Sequence, residues 1–292
     1  MVKKAQQPHS TGFREVWLGS LKKNGFSIDE GRYARSSGGE VAYLLIEHPD
    51  KNKLSILFHG TGNDQIFTWQ ALIEALLKAG RSVLTFDLDG HGVKSSSTLV
   101  RQNFWQSADD LYMFLKVRGL DAYPYELVGY SLGALLALQA TSQHRLTPSR
   151  VVIIALPLRI KLSLRFLWNE LLTLFSSSFY RQWHDYGWRQ TIPAFGSFRR
   201  RSFPLRLDSR FRGSYPEMVD LLLQDQAPLA LINSSSHNYL LIFGKRDALA
   251  STSDIGQWQS SSGNLKIVVI DRANHFLLPF QRQTIEAITH LE

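Results

Sequence analysis

Gly129-Tyr130-Ser131-Leu132-Gly133 decides how this chain is read. The pentapeptide follows the apolar run Tyr125–Val128, of strand length, and opens onto Leu132–Gln143, where apolar residues recur at helical spacing. A serine at the tip of so sharp a strand-to-helix turn must adopt a strained backbone. The residues two places before and after it must be small to avoid collision, and Gly129 and Gly133 meet that need. The helix behind the serine directs unpaired N–H groups and a positive dipole end towards whatever reacts there. Alone the pattern is weak: with glycine at about 7% of residues, roughly one chain in ten of this length carries it by chance. The strand and helix on either side give it weight; without them it is a glycine-rich turn.

The same alternation extends in both directions. Strands are predicted at Val41–Glu47, Leu54–Phe58, Ser82–Phe86, Tyr125–Gly129, Val151–Leu156, Tyr239–Phe243 and Lys266–Ile270. Several are nearly continuous in Val, Ile, Leu and Phe, the pattern of strands covered on both faces of a parallel sheet. Helices are predicted at Ile66–Ala79, with Gly80 as its stop, and at Ser107–Val117, Leu132–Gln143 and Thr284–Leu291. Strand–helix alternation of this kind implies right-handed crossovers and an α/β fold with a mostly parallel, doubly wound sheet. Residues 1–35 resist assignment and are expected to pack as an arm on the body.

One stretch breaks the rhythm. About eighty residues separate Leu156 from Tyr239, far more than a crossover needs. The segment is rich in Trp, Phe, Tyr, Leu and Arg, so it reads as a mainly helical insertion. The expected organisation is a core of residues 1–156 and 229–292 with an insertion at 157–228.

Composition narrows the chemistry. In 292 residues, 44% are hydrophobic and 20% charged, as in a folded globular protein. There is no cysteine, which excludes disulfides, thiolate metal sites and a cysteine nucleophile. Two lysines near the N-terminus are followed by no apolar run, and no stretch has the length needed to span a bilayer, so a cytoplasmic protein is expected. The net charge is +8, and much of the excess falls between Arg159 and Arg212, including Arg199-Arg200-Arg201. Such a patch suits anionic lipids, phosphates or acidic substrates, or is simply a solvated surface. With no nucleic-acid-binding signature beside it, a nucleic-acid partner is not expected.

A serine at its ordinary pKa needs a base. His275, in Asp271-Arg272-Ala273-Asn274-His275-Phe276, leaves the apolar run Ile267–Ile270 at the carboxyl edge of the sheet. Ser131 leaves its own strand at that same edge, where open α/β sheets keep their sites. A carboxylate must then hold the imidazole in the right tautomer. Asp247, in Phe243-Gly244-Lys245-Arg246-Asp247, leaves the preceding strand. Asp254 is the weaker rival, and Asp271 is read as ending its strand or capping the turn. For a developing oxyanion, His59-Gly60-Thr61-Gly62 follows Leu54–Phe58. The expected donors are the backbone N–H groups of Thr61 and Leu132, with His59 and Gly60 supporting the turn. Each signal has a bland alternative, but the order oxyanion turn, serine, aspartate, histidine, each after a strand, is much rarer than any one motif.

On these residues the chain resembles the α/β-hydrolase superfamily, as a serine esterase or lipase-like member, from about Val41 to the C-terminus except the insertion. Asp87-Leu88-Asp89-Gly90-His91-Gly92 is similar to that family's Asp-x-x-Gly-His-Gly turn, with His91 structural. It departs in having Asp89 where arginine is usual, and Lys94 where serine often stands, with Ser95 one place later. The resemblance implies a lid at the insertion, where Trp168, Phe175, Phe179, Tyr180, Trp183, Tyr186 and Trp188 would line an acyl pocket, touch a lipid surface or pack on the body. It also implies no metal or other cofactor, and a small-molecule acyl ester or thioester as substrate. Thioesterase, acyltransferase or carbon–carbon hydrolase chemistry on the same residues stays open, as does a non-catalytic receptor of the same fold.

Overall fold

Helix α1 (Phe13–Lys23) and strand β1 (Ser27–Ala34) are the first elements among the described residues, and the sequence does not predict them. They belong to a computed structural model that describes residues 13–158 and 228–290, apart from 51, 62, 93, 99, 143–145, 251–254, 257 and 259–263, together with Leu164, Trp168 and Glu170. The seven predicted strands follow: β2 (Glu40–Glu47), β3 (Lys53–Phe58), β4 (Arg81–Phe86), β5 (Tyr125–Tyr130), β6 (Arg150–Ile154), β7 (Tyr239–Gly244) and β8 (Leu265–Ile270). Among them lie α2 (Gln70–Lys78), α3 (Arg101–Val117), α4 (Leu132–Ser142) and α5 (Pro228–Ser234), and after them α6 (Arg282–His290). Of the expected insertion at 157–228, only Pro157, Leu158, Leu164, Trp168, Glu170 and Pro228 fall among the described residues.

All eight strands form one sheet in the order β1-β2-β4-β3-β5-β6-β7-β8. The β1–β2 and β2–β4 pairings are antiparallel and the rest parallel. This is the mostly parallel, doubly wound sheet that the sequence predicts. Strands β4, β5, β6 and β7 are buried at every residue, which explains their largely apolar character. Strand β1 is different: Asp29, Glu30 and Arg32 lie along a half-exposed edge. Charges there discourage pairing with other chains, and they also hide the strand from a hydrophobicity pattern.

Helices α3, α4 and α5 bury one face of the sheet, and α1, α2 and α6 bury the other, giving two apolar cores. Ten of the eleven α4 residues are buried, so this helix is apolar on all sides. Strands β3 and β5 are neighbours, but their crossovers depart in opposite directions, to β4 and to β6. That reversal opens a crevice at the carboxyl ends of β3 and β5.

The opposite edge is tied by charge. Glu126, fully buried at the start of β5, accepts from Ser55 Oγ (2.6 Å), Arg81 (2.9 Å) and Arg150 (2.6 and 3.1 Å). Burial pushes its carboxyl pKa up, but Arg150, Arg81 and Lys53 outweigh that and hold it below the ordinary value. Both arginines also donate to the Ile288 carbonyl in the last turn of α6, which favours positive charge. Glu126→Ala would strand two buried guanidinium groups, at a cost of about 3–5 kcal/mol. Thermal unfolding should then show a midpoint lowered by roughly 10 °C.

Candidate active site

Between the last residue of β5 and the first of α4 stands Ser131 alone, at φ 54°. Its N–H donates to Ile154 O (3.0 Å), and its carbonyl accepts from Ala134 N–H (2.9 Å), so strand and helix hold the left-handed turn from both sides. The flanking glycines are needed for a specific reason. A Cβ on Gly129 would lie 2.3 Å from Gly133 O, and one on Gly133 would lie 2.0 Å from Phe58 O. The first turn of α4 is thus pressed onto β5 and β3, leaving the serine side chain as the part that stands clear.

His275 arrives on the loop after β8, with Nε2 2.9 Å from Ser131 Oγ. Its Nδ1 lies 3.0 Å from Asp247 Oδ2 and 3.2 Å from Oδ1. Both residues are buried, at 2% and 1% exposure, so the contact is shielded from water. A carboxylate only accepts, so the proton sits on Nδ1 and Nε2 is left to accept from the serine hydroxyl. Asp247 is fixed in turn: Leu249 N–H donates to its Oδ1 (2.8 Å), and Arg246 N–H reaches Ala273 O (2.9 Å) to join the two loops. A Cβ on Gly244 would meet Ala273 O at 2.4 Å, so a larger residue would part them. Burial pulls the His275 pKa down, but the charge and hydrogen bond of Asp247, with Glu170, raise it above its ordinary value. Tyr130, the last residue of β5, donates to the His275 carbonyl (3.2 Å).

The turn after β3 packs against the strand-to-helix turn at Ser131. A Cβ on Gly60 would lie 2.7 Å from the Tyr130 ring and 3.2 Å from Ser131 Cβ. Fully buried His59 accepts from Leu88 N–H through Nε2 (3.0 Å), so its Nδ1 carries the proton donated to Gly60 O (2.8 Å). Thr61 is buried beside it, and Asn63 N–H closes the turn on Gly60 O (3.2 Å). Leu132, first residue of α4, has an amide with no acceptor inside the helix. A carbonyl oxygen held over Ser131 would have these two turns as its polar surroundings.

A family model described as "Alpha/beta hydrolase family" matches residues 56–287, most of the chain. The chain belongs to the α/β-hydrolase family. Solved structures share this hydrolase's fold at low sequence identity. A serine hydrolase from the polyaromatic-hydrocarbon-degrading bacterium Cycloclasticus zankles is 13% identical with a TM-score of 0.67, covering 90% of this chain and 97% of that one. An esterase of Pyrococcus furiosus is 17% identical with a TM-score of 0.60, covering 99% and 95%. The thioesterase domain of the curacin biosynthetic pathway is 20% identical with a TM-score of 0.54, covering 91% and 98%. No curated protein matches the sequence.

The α/β-hydrolase departs from its family's loop after β4 in ways the structure explains. Asp89, in place of arginine, receives a buried two-pronged pair from Arg35 (3.1 and 2.8 Å), which also reaches Asp110 at 2.7 Å. Ser95, not Lys94, donates to Asp87 (3.1 Å), while Lys94 lies at the surface beside Glu30. Asp87 also accepts from Gln65 N–H (3.2 Å), so it braces the segment that follows the Gly60 turn. A Cβ on Gly92 would strike its carboxylate. Burial above all, then the charge of Asp64, pushes the Asp87 pKa from 3.8 to about 6. A raised carboxyl pKa means that the folded state binds the proton more tightly, so its stabilising effect is present at low pH and lost as pH rises from 3.8 through 6. At about 1.4 kcal/mol per unit the loss is about 3 kcal/mol. Asp87→Asn keeps an acceptor for Gln65 and carries no charge. It is expected to raise the melting temperature at pH 8 but not at pH 4.

Asp271, read as ending its strand or capping the turn, directly follows β8, whereas Glu170 has a place that the sequence did not suggest. Asp271 pairs with Lys245 at the surface (3.1 Å), away from the imidazole. Glu170 is fully buried and accepts the His275 backbone N–H (3.1 Å). Gly62, Asp254, the remaining aromatic residues of the insertion and Arg199–Arg201 lie outside the described residues. Among the described residues no group of three or more His, Cys, Asp or Glu is arranged to hold a metal, and no helix is long and apolar enough to cross a membrane.

Proposed function

We propose that this α/β-hydrolase is a serine hydrolase that cleaves carboxylic esters of acyl, lipid-like chains through an acyl-enzyme on Ser131. The observation that carries the reading is the continuous hydrogen-bond path from Ser131 Oγ through both nitrogens of His275 to buried Asp247. As the oxygen of Ser131 attacks the ester carbonyl, its proton passes to Nε2. The imidazolium so formed faces the Asp247 carboxylate, which stays ionised and holds the ring in orientation. The carbonyl oxygen becomes an oxyanion, and the amides of Thr61 and Leu132 are the proposed donors, each worth about 3–4 kcal/mol. His275 returns the proton to the departing alkoxide, and the alcohol leaves. Water then enters, gives a proton to Nε2 as its oxygen attacks the acyl carbon, and His275 passes that proton to Ser131 Oγ as the acid leaves.

An acyl substrate is favoured by two exposed apolar side chains of the segment that carries Glu170. Leu164 and Trp168, four positions apart in sequence, are 86% and 77% exposed, and Trp168 stands two residues before the Glu170 that touches the His275 loop. The test is hydrolysis of p-nitrophenyl esters from two-carbon to long acyl chains, with matched thioesters in parallel. The proposal predicts turnover that rises with chain length and favours the ester. Faster turnover of the thioesters would reassign the leaving group. A folded enzyme that turns over none of them would contradict the reading.

A further inference from the structure

Among the described residues two carboxylates face His275, and the reaction as derived above uses one. Asp247 holds Nδ1. The second, Glu170, comes from the segment between β6 and α5, with Oε1 accepting the His275 N–H and Oε2 without a hydrogen-bond partner among the described residues. Placing a carboxylate in a fully buried position with one oxygen unpaired is costly. Bonding a backbone amide does not require that cost, because the neutral oxygen of glutamine would serve. What a carboxylate adds is negative charge beside a ring that must become positive when Ser131 gives up its proton.

We propose that Glu170 is a positioning residue for His275, fixing its backbone through the amide and supplying a second negative charge that stabilises the imidazolium. This rests on the serine-hydrolase reading for its catalytic consequence but not for the contact itself. Among the described residues, the charged groups that face His275 are Asp247 from the loop after β7 and Glu170 from the insertion. The Tyr130 hydroxyl from β5 bonds its carbonyl, and Ser131 Oγ bonds Nε2. Burial lowers the His275 pKa, and of the two carboxylates that raise it, Asp247 acts more strongly than Glu170. The Glu170 carboxyl is itself raised by burial, a tendency that His275 opposes, so each group favours the charged form of the other. Removing the Glu170 charge must therefore lower the pKa at which His275 gives up its proton. An active site that needs neutral His275 then stays active to lower pH.

The test compares wild type, E170Q and E170A. His275 is titrated by NMR of its ring signal, assigned through the signal's loss in His275→Gln. The rate of inactivation by a fluorophosphonate is measured over the same pH range. In E170Q the amide oxygen still accepts the His275 N–H but the charge is gone, so the NMR titration and the acid limb both move to lower pH and the plateau rate falls by only about a few-fold, as a weaker base slows proton transfer. In E170A the anchor is lost as well, and the plateau rate falls by about ten- to a hundredfold. A His275 titration that is unmoved in E170Q overturns the proposal, as does E170A with wild-type rates. A purely structural role would lower the melting temperature and leave the titration where it was. If the wild type proves inert to fluorophosphonate while the titration still moves, the pairing of Glu170 with His275 stands and the serine-hydrolase reading falls.

Discussion

Replacing Ser131 by alanine is expected to lower kcat by about a million-fold on any ester the enzyme cleaves. Alanine removes the attacking oxygen and leaves the rest of the site in place. The left-handed turn at φ 54° is held by bonds from the backbone of residue 131 to Ile154 and Ala134, not by its hydroxyl. Thermal unfolding should therefore match wild type, which separates lost chemistry from lost folding. The double variant Ser131→Ala, His275→Ala should be no slower than the single one, because nucleophile and base act as one unit. Residual turnover of about a thousandfold over water would reflect binding and the oxyanion donors alone. Single-turnover kinetics with a p-nitrophenyl ester gives all three values.

Asp247→Asn is expected to cost about ten thousandfold in kcat with little change in KM. The reason is the tautomer. With Asp247 accepting, the imidazole proton stays on Nδ1, and Nε2 faces Ser131 as an acceptor. Asparagine can turn its amide nitrogen to Nδ1 while its oxygen still accepts from Leu249 N–H, so the loop survives. The proton then moves to Nε2, where it meets the hydroxyl it should receive from. The loss should fall on kcat, read from saturation kinetics. A drop confined to KM would mean that Asp247 shapes the pocket and does not orient the base.

The sheet was legible because parallel strands buried on both faces must be apolar at nearly every position, as Arg150–Ile154 and Tyr239–Gly244 are apart from their ends. Strand β1 was not, because an edge position permits Asp29, Glu30 and Arg32. Helix α3 begins at Arg101, six residues before its predicted start at Ser107, since Val100 supplies no side-chain cap to mark the end. Ser131, Asp247 and His275 could be singled out because each follows a readable strand, and the structure brings them within hydrogen-bond reach. Glu170 had no such marker. It lies in a segment without strand rhythm, and its partner is a backbone amide 105 positions away. The Arg35–Asp89 pair, 54 positions apart, was hidden in the same way. Asp89 was visible as a departure from the family pattern, but only the fold supplies the arginine that answers it.

The central claim is that Ser131 is a nucleophile activated by His275. It is tested most directly by treating the folded enzyme with a fluorophosphonate and mapping the adduct by peptide mass spectrometry. The account predicts one adduct, on the peptide carrying Ser131, absent from Ser131→Ala and formed at least about a thousandfold more slowly in His275→Ala. A folded protein that forms no adduct, or forms it at another residue, would contradict it.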